Sequence, residues 1–440
     1  MTRAIGLISQ LLAGLGGRGV ATCSVMRLRD WSGWGAFKAA LWALACVLCW
    51  ARPAAAQEPP DRVSVLTMGP GDHPFTRFGH NAVLLEWQGG GVRKNIVYNF
   101  GTFEFDGVAG ARDFMGGRFR YWLSASTLER TLRAYAADQR SLTAQELELT
   151  AAERAELARS LAENALPENR YYNYDYYRDN CSTRVRDAVD RLLGGALRRG
   201  VGGPGRLTFR QHTLTLVGDT PWLYFGLDVA LGAPTDRPTT RWEELFLPQE
   251  LHEALGQASR ELDGHSVPLV RRERALLSAA SRPALPRNPP APWLAFGGSG
   301  ALLGALFAAL GRGARGSVVL RGLFGAVTAL VGLVVGLLGV ALTVFWASKH
   351  WAAHQNPSLL GCPPWLIGVV VVGVGFALGK PRSGRLLQLL LGATLAASLL
   401  LLAWGLVSAG HEALRMALLF VPLWAGLFAG TRLSRKATTR

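Results

Sequence analysis

Tyr174-Asp175-Tyr176-Tyr177-Arg178-Asp179-Asn180-Cys181-Ser182-Thr183-Arg184, followed by the amphipathic run 185–193, is the stretch on which the reading of this chain turns. The run has helical periodicity, and Ser182 or Thr183 in front of it is a residue type that caps a helix. Cys181 would then stand at a helix N-terminus, where the macrodipole and unpaired N–H groups favour a thiolate. A thiolate so placed is a nucleophile. The plainer alternative is a small buried core residue, which is what most free cysteines are.

About a hundred residues upstream lies Phe78-Gly79-His80. Apolar stretches 81–87 and 92–100 flank Gln88-Gly89-Gly90-Gly91, a pattern that predicts a β-hairpin. This register puts His80 opposite Asn99, on one face and within reach. A slip of a residue or two brings Asn95 or Tyr98 there instead. An amide beside an imidazole holds the tautomer that a Cys–His pair needs, although a satisfied histidine at a strand end is the ordinary alternative. A further strand is expected at 63–68. The segment 125–166, rich in Ala, Glu, Leu and Arg, predicts helices. The proline-rich stretch 282–292 predicts a linker.

Across 440 residues the chain is 49% hydrophobic and carries a net charge of +16. Its mean hydropathy of +0.17 is high for a soluble protein of this length and points to membrane segments. Arg27, Arg29 and Lys38 before the apolar run 39–51, with Ala54-Ala55-Ala56 after it, read as an export signal beginning at Met26 and cleaved before Gln57, with 1–25 as an extension. A lipobox ending at Cys46 is the weaker alternative. Of the five cysteines only Cys181 and Cys362 follow that signal, too few for a disulfide framework. Apolar runs at 293–310, 322–346, 359–378, 386–409 and 413–428 predict five spans, the third interrupted by Pro363 and Pro364 and the fifth containing Pro422. With the polar part exported, Arg312, Arg315 and Arg321, then Lys380, Arg382 and Arg385, then the basic tail all fall on the cytoplasmic side. Much of the positive charge is thereby explained without nucleic acid.

Histidine on an early strand and cysteine opening a later helix is an order that resembles the circularly permuted branch of the papain-like NlpC superfamily, which includes lecithin:retinol acyltransferase. Phe78-Gly79-His80, Tyr98-Asn99-Phe100-Gly101-Thr102-Phe103 and the 174–184 run are similar, more specifically, to the N-terminal periplasmic domain of Lnb-type lipoprotein N-acyltransferases, as are Pro167-Glu168-Asn169 and Phe246-Leu247-Pro248. The outside loop from Ser348-Lys349-His350 to Asn356-Pro357-Ser358 resembles that family's motif between spans, departing from it at Gly361-Cys362. The resemblance implies an α+β, permuted papain-like (NlpC/LRAT-like) periplasmic domain at 57–281, a linker at 282–292, an all-α transmembrane bundle of about five helices at 293–429, and a cytoplasmic tail at 430–440. It implies transfer of a fatty acyl chain from a phospholipid donor to the N-terminal amine of a lipoprotein at the inner membrane, with no cofactor and no metal. Cys181, His80 and Asn99 would be catalytic, and Asn180, Ser182, Arg184, Tyr98, His350 and Asn356 would bind substrate. A periplasmic cysteine hydrolase acting on the cell wall, or a non-catalytic envelope protein, are the competing readings. His350 and His354 have the spacing of metal ligands on a helix but no acidic partner nearby.

Overall fold

Val63, Val65, Leu66 and Met68 of strand Arg62–Met68 (β1) are buried, as are Ala82, Val83, Leu84 and Leu85 of His80–Trp87 (β2). A strand apolar on both faces must be covered on both sides, and this requirement sets the architecture of the domain. The structure is a computed structural model that describes residues 58–89, 94–279, 286–408 and 412–435. The expected export signal and the tip of the first hairpin lie outside these residues. The chain divides after Glu58, and all that follows forms one unit.

β1 and β2 are joined by Lys94–Thr102 (β3), Arg120–Ser126 (β4), Leu142–Leu147 (β5), Tyr171–Asn173 (β6) and Val270–Leu277 (β7) in a seven-stranded sheet, ordered β7-β5-β1-β2-β3-β4-β6. Every pairing in it is antiparallel. Helix Gly107–Met115 (α1) lies between β3 and β4 in the chain. Leu128–Ala137 (α2) covers Leu66, Leu84 and Leu142 on one face. Ala151–Asn164 (α3) and Cys181–Leu192 (α4) cover Val63, Val83 and Phe100 on the other. β5 corrects the expectation of helices throughout 125–166. Leu-Thr-Ala-Gln-Glu-Leu has a helical composition, but it pairs with β1 on one side and β7 on the other, and pairing plus burial override propensity.

Phe209–Leu216 (α5) and the apolar Pro221–Ala230 (α6) continue the domain towards the bundle. Among the described residues four helices are long and apolar enough to cross a membrane: Trp293–Gly313 (α7), Val318–Ala347 (α8), Pro381–Val407 and most of Glu412–Arg435. The third expected span is not one helix. Residues 351–366 form short 3₁₀ turns, and only Ile367–Ala377 (α9) is α-helical, with a bend of 53° across the break. Eleven residues rise about 16 Å, roughly half of the ~30 Å hydrocarbon core. Pro357, Pro363 and Pro364 disrupt the upper half. Such backbone is tolerated at this depth because it is packed inside protein: Cys362 and Leu366 are fully buried, and Gly332, Gly336 and Gly339 of α8 lie against Val369, Ile367 and Cys362 with no room for a Cβ. Pro381–Val407 (α10) and Glu412–Arg435 (α11) complete the bundle, with Gly300 and Gly304 of α7 fitted closely onto the α11 backbone. Basic residues meet at one end, where Arg315 donates to Leu433 O and Arg321 lies 3.1 Å from the position of a Cβ on Gly379.

The opposite end carries the sheet domain. Buried Asp228 of α6 accepts two hydrogen bonds from buried Arg415 of α11, at 3.0 and 2.9 Å, and a third from Arg210 of α5 at 3.3 Å. Arg210 also bonds Asp236 at 2.6 Å. The loop after α8 enters the domain as well: Gly232 N donates to Ala352 O at 2.7 Å, and Asn356 Nδ2 donates to the carbonyls of Val229 and Ala230. Pro290, within the expected linker, accepts from Tyr224 Oη at 3.0 Å, so this part of it is docked.

Candidate functional site

Cys181 is the first residue of α4, but neither Ser182 nor Thr183 caps the helix. Asn180 does: its Oδ1 accepts from Thr183 N at 2.9 Å while Thr183 Oγ1 accepts from Asn180 N at 2.8 Å. Asn180 suits this role because its Nδ2 also ties two carbonyls, of Tyr176 at 2.8 Å and Phe246 at 2.9 Å. Ser182 is wholly buried and donates to Leu245 O at 2.7 Å. The head of the helix is thus fixed on three sides, and Cys181 projects from it towards the end of β2.

There it meets His80. The imidazole hydrogen-bonds the thiol through one nitrogen, and its Nε2 hydrogen-bonds Asn99 Oδ1. The relay continues from Asn99 Nδ2 to Thr102 Oγ1 at 3.4 Å and on to Ser124 Oγ at 2.7 Å. With Nε2 committed to Asn99, Nδ1 is the nitrogen left for the thiol. The expected register is two residues off. The ladder Val83↔Tyr98, Leu84↔Val97, continued, sets Ala82 opposite Asn99. A slip of two keeps side chains on the same face, so Asn99 reaches His80 diagonally. Asn95 instead accepts from Leu128 N at 2.7 Å, and Tyr98 is buried in the core.

Burial pushes the Cys181 thiol up, but the charge of His80, the hydrogen bond between them and the N–H groups of Asn81 and Ser182 outweigh it, so the thiol lies below its ordinary range. Burial pulls the imidazole down, but the charge of Cys181 and the bonds to Cys181 and Asn99 outweigh it, so His80 lies above its ordinary range against the opposing charge of Arg140. Both shifts favour a thiolate–imidazolium pair. Gly101, at φ +91°, faces this pair: a Cβ there would sit 3.6 Å from His80 Cε1 and 3.7 Å from Cys181 Cβ. These are ordinary van der Waals distances, so Gly101 packs directly against the pair.

Arg184 is paired with Asp179, one contact at 2.7 Å, and stacks over Tyr172. His350 Nε2 is bonded to Phe114 O at 2.5 Å, and His354 Nε2 bonds Ser348 O at 2.9 Å. The two histidines share no helix face, and the described residues hold no group of three or more metal-ligating side chains. One contact had no sequence signal. Trp351 Nε1 donates to Asp175 Oδ2 at 2.6 Å, and Arg178 stacks on the Trp351 ring. Asp175 Oδ1 accepts from the N–H groups of Tyr177 and Arg178. The loop leading to Cys181 is therefore gripped by the loop between the spans.

A hydrogen-bonded thiol–imidazole–amide set, in a mixed α and β domain held on one end of an apolar helical bundle, defines a membrane protein with a reactive-looking extramembrane domain. Residues 53–212 match the family model described as the Lnb N-terminal periplasmic domain, so this part of the chain carries an Lnb-type periplasmic domain. The match contains Cys181, His80 and Asn99 and stops short of His350 and Asn356. No curated protein and no solved structure matches the chain.

Proposed function

We propose that this protein is a cysteine-dependent acyltransferase that modifies lipoproteins, taking a fatty acyl chain from a phospholipid and delivering it to the lipoprotein's N-terminal amine. The observation that carries this reading is the Cys181–His80–Asn99 set, in a domain whose nucleophile-bearing loop is bonded to a loop between membrane helices. The order of His80 on a strand and Cys181 on a later helix supports a permuted papain-like arrangement.

His80 Nδ1 takes the thiol proton. The thiolate attacks the ester carbonyl, forming the C–S bond and placing the negative charge on oxygen, where N–H groups at Cys181 and Ser182 stabilise it. Collapse breaks the C–O bond; the lysophospholipid alkoxide leaves with the proton from His80. The unprotonated amine then attacks the thioester, His80 accepts its proton, and C–S cleavage regenerates the thiol as that proton returns to sulfur. Asn99 keeps the imidazole turned for both halves. The periplasmic domain at 57–281 follows the export signal, and the basic end of the bundle, with the C-terminus, faces the cytoplasm.

The test is expression in a bacterium whose own lipoprotein N-acyltransferase can be switched off, with lipoprotein N-termini read by mass spectrometry. N-acylation that persists with the intact chain and vanishes with Cys181→Ala supports the proposal. Free amines despite a protein that reaches the membrane would turn attention to cell-wall hydrolysis by the same residues.

A further inference from the structure

Resting on that reading, we infer that the donor's acyl chain lies along a row of aromatic rings running from the lip of the bundle to Cys181. The row begins at Phe345, in the last turn of α8. Its ring is 6.5 Å from Phe114 of α1, which is 6.1 Å from Phe119. Phe119 is 5.4 Å from Tyr121 and 5.6 Å from Phe103, and Tyr121 stacks on Tyr174 at 4.0 Å. Tyr174 closes the row, 3.9 Å from the Cβ position of Gly101, which touches both His80 and Cys181. The path from ring to ring is comparable with the ~15 Å that one leaflet's chains occupy, half of a ~30 Å core.

Core packing alone does not account for this arrangement. Phe105, just ahead of α1, is 55% exposed, and Val108 and Phe114 on α1 are 88% and 39% exposed, with Phe114 against Phe345 where α8 ends. Exposed apolar side chains that adjoin a membrane helix are suited to lipid contact. The occupant is a lipid rather than a protein because the row is continuous with a membrane helix at one end and with the thiol at the other. Burial keeps the Tyr121 and Tyr174 phenols neutral, so the row carries no charge near the thiol. Lys349, packed on Gly117, and Arg118 stand at the entry, where a phospholipid phosphate would lie.

The full-length protein in nanodiscs of phosphatidylethanolamine and phosphatidylglycerol, doped with a phosphatidylethanolamine bearing a diazirine in its acyl chain, tests this by irradiation and peptide mapping. The expected adducts fall on 114–121 and on Tyr174. Phe114→Glu, at an exposed position, should cut them about tenfold, equivalent to about 1.4 kcal/mol. Adducts confined to lipid-facing Val371 and Leu389, with none on the row, would overturn the inference. Labelling requires no transfer: a labelled row with unmodified lipoproteins leaves the lipid site standing and removes the transferase reading, whereas acylated lipoproteins with an unlabelled row remove this inference alone.

Discussion

His80 and Cys181 shift each other in opposite directions, and this is the feature of the site most open to measurement. A thiol below its ordinary range is a thiolate at pH values where a free thiol is not, and an imidazole above its range stays protonated beside it. Alkylation of Cys181 by iodoacetamide, followed against pH, should therefore begin well below the pH that marks an ordinary thiol. In His80→Ala the onset should move up, because the opposing charge is gone and burial remains. Asn99→Ala should leave the onset nearly in place and lower turnover by about a hundredfold, since a misdirected imidazole no longer serves as acid or base. A variant whose onset and turnover both match the intact protein would remove Asn99 from the account. At this scale much was legible. The nucleophile candidate was readable because helix initiation is local, written within a few residues of Cys181. Its cap was misassigned because Asn, Ser and Thr all cap, and only the fold shows which is oriented to do so. Asn99 was found through a register two residues wrong, because an error of two keeps the face.

Elements were less legible wherever distant pairing decides them. β5 has the composition of a helix and is a strand because β1 and β7 flank it. The third span looked continuous by hydropathy, but its prolines and its seat against the glycines of α8 make the upper half irregular. No local signal marked Asp228, Arg210 and Arg415, which lie far apart in sequence and join α6, α5 and α11 in a buried ionic cluster. Neutralising the anion takes from buried Arg415 the carboxylate it bonds twice, while Arg210 keeps Asp236, and breaking a buried pair in this way costs about 3–5 kcal/mol. Asp228→Asn should accordingly lower the thermal unfolding midpoint in detergent and increase proteolysis between domain and bundle. An unchanged midpoint would mean that the domain is held mainly by the loop around Trp351 and Asn356.

For the whole molecule, the sheet domain and the bundle meet at a loop between spans that grips the segment leading to the nucleophile, through Trp351 and Asp175. This junction ties the segment that carries the thiol to the bundle itself, so the position of the site relative to the spans is fixed by contacts and not by a flexible anchor. Four of the five expected spans were visible in the apolar runs of the sequence. The junction was not, since it depends on how two separately folded surfaces fit. The central claim is that an acyl chain passes through Cys181, and the most direct measurement is the intact mass of the full-length protein after incubation with phospholipid and no acceptor. The account predicts a mass increase of one acyl group, released by neutral hydroxylamine and absent from Cys181→Ala. An unmodified protein, or an adduct that Cys181→Ala retains, would contradict it.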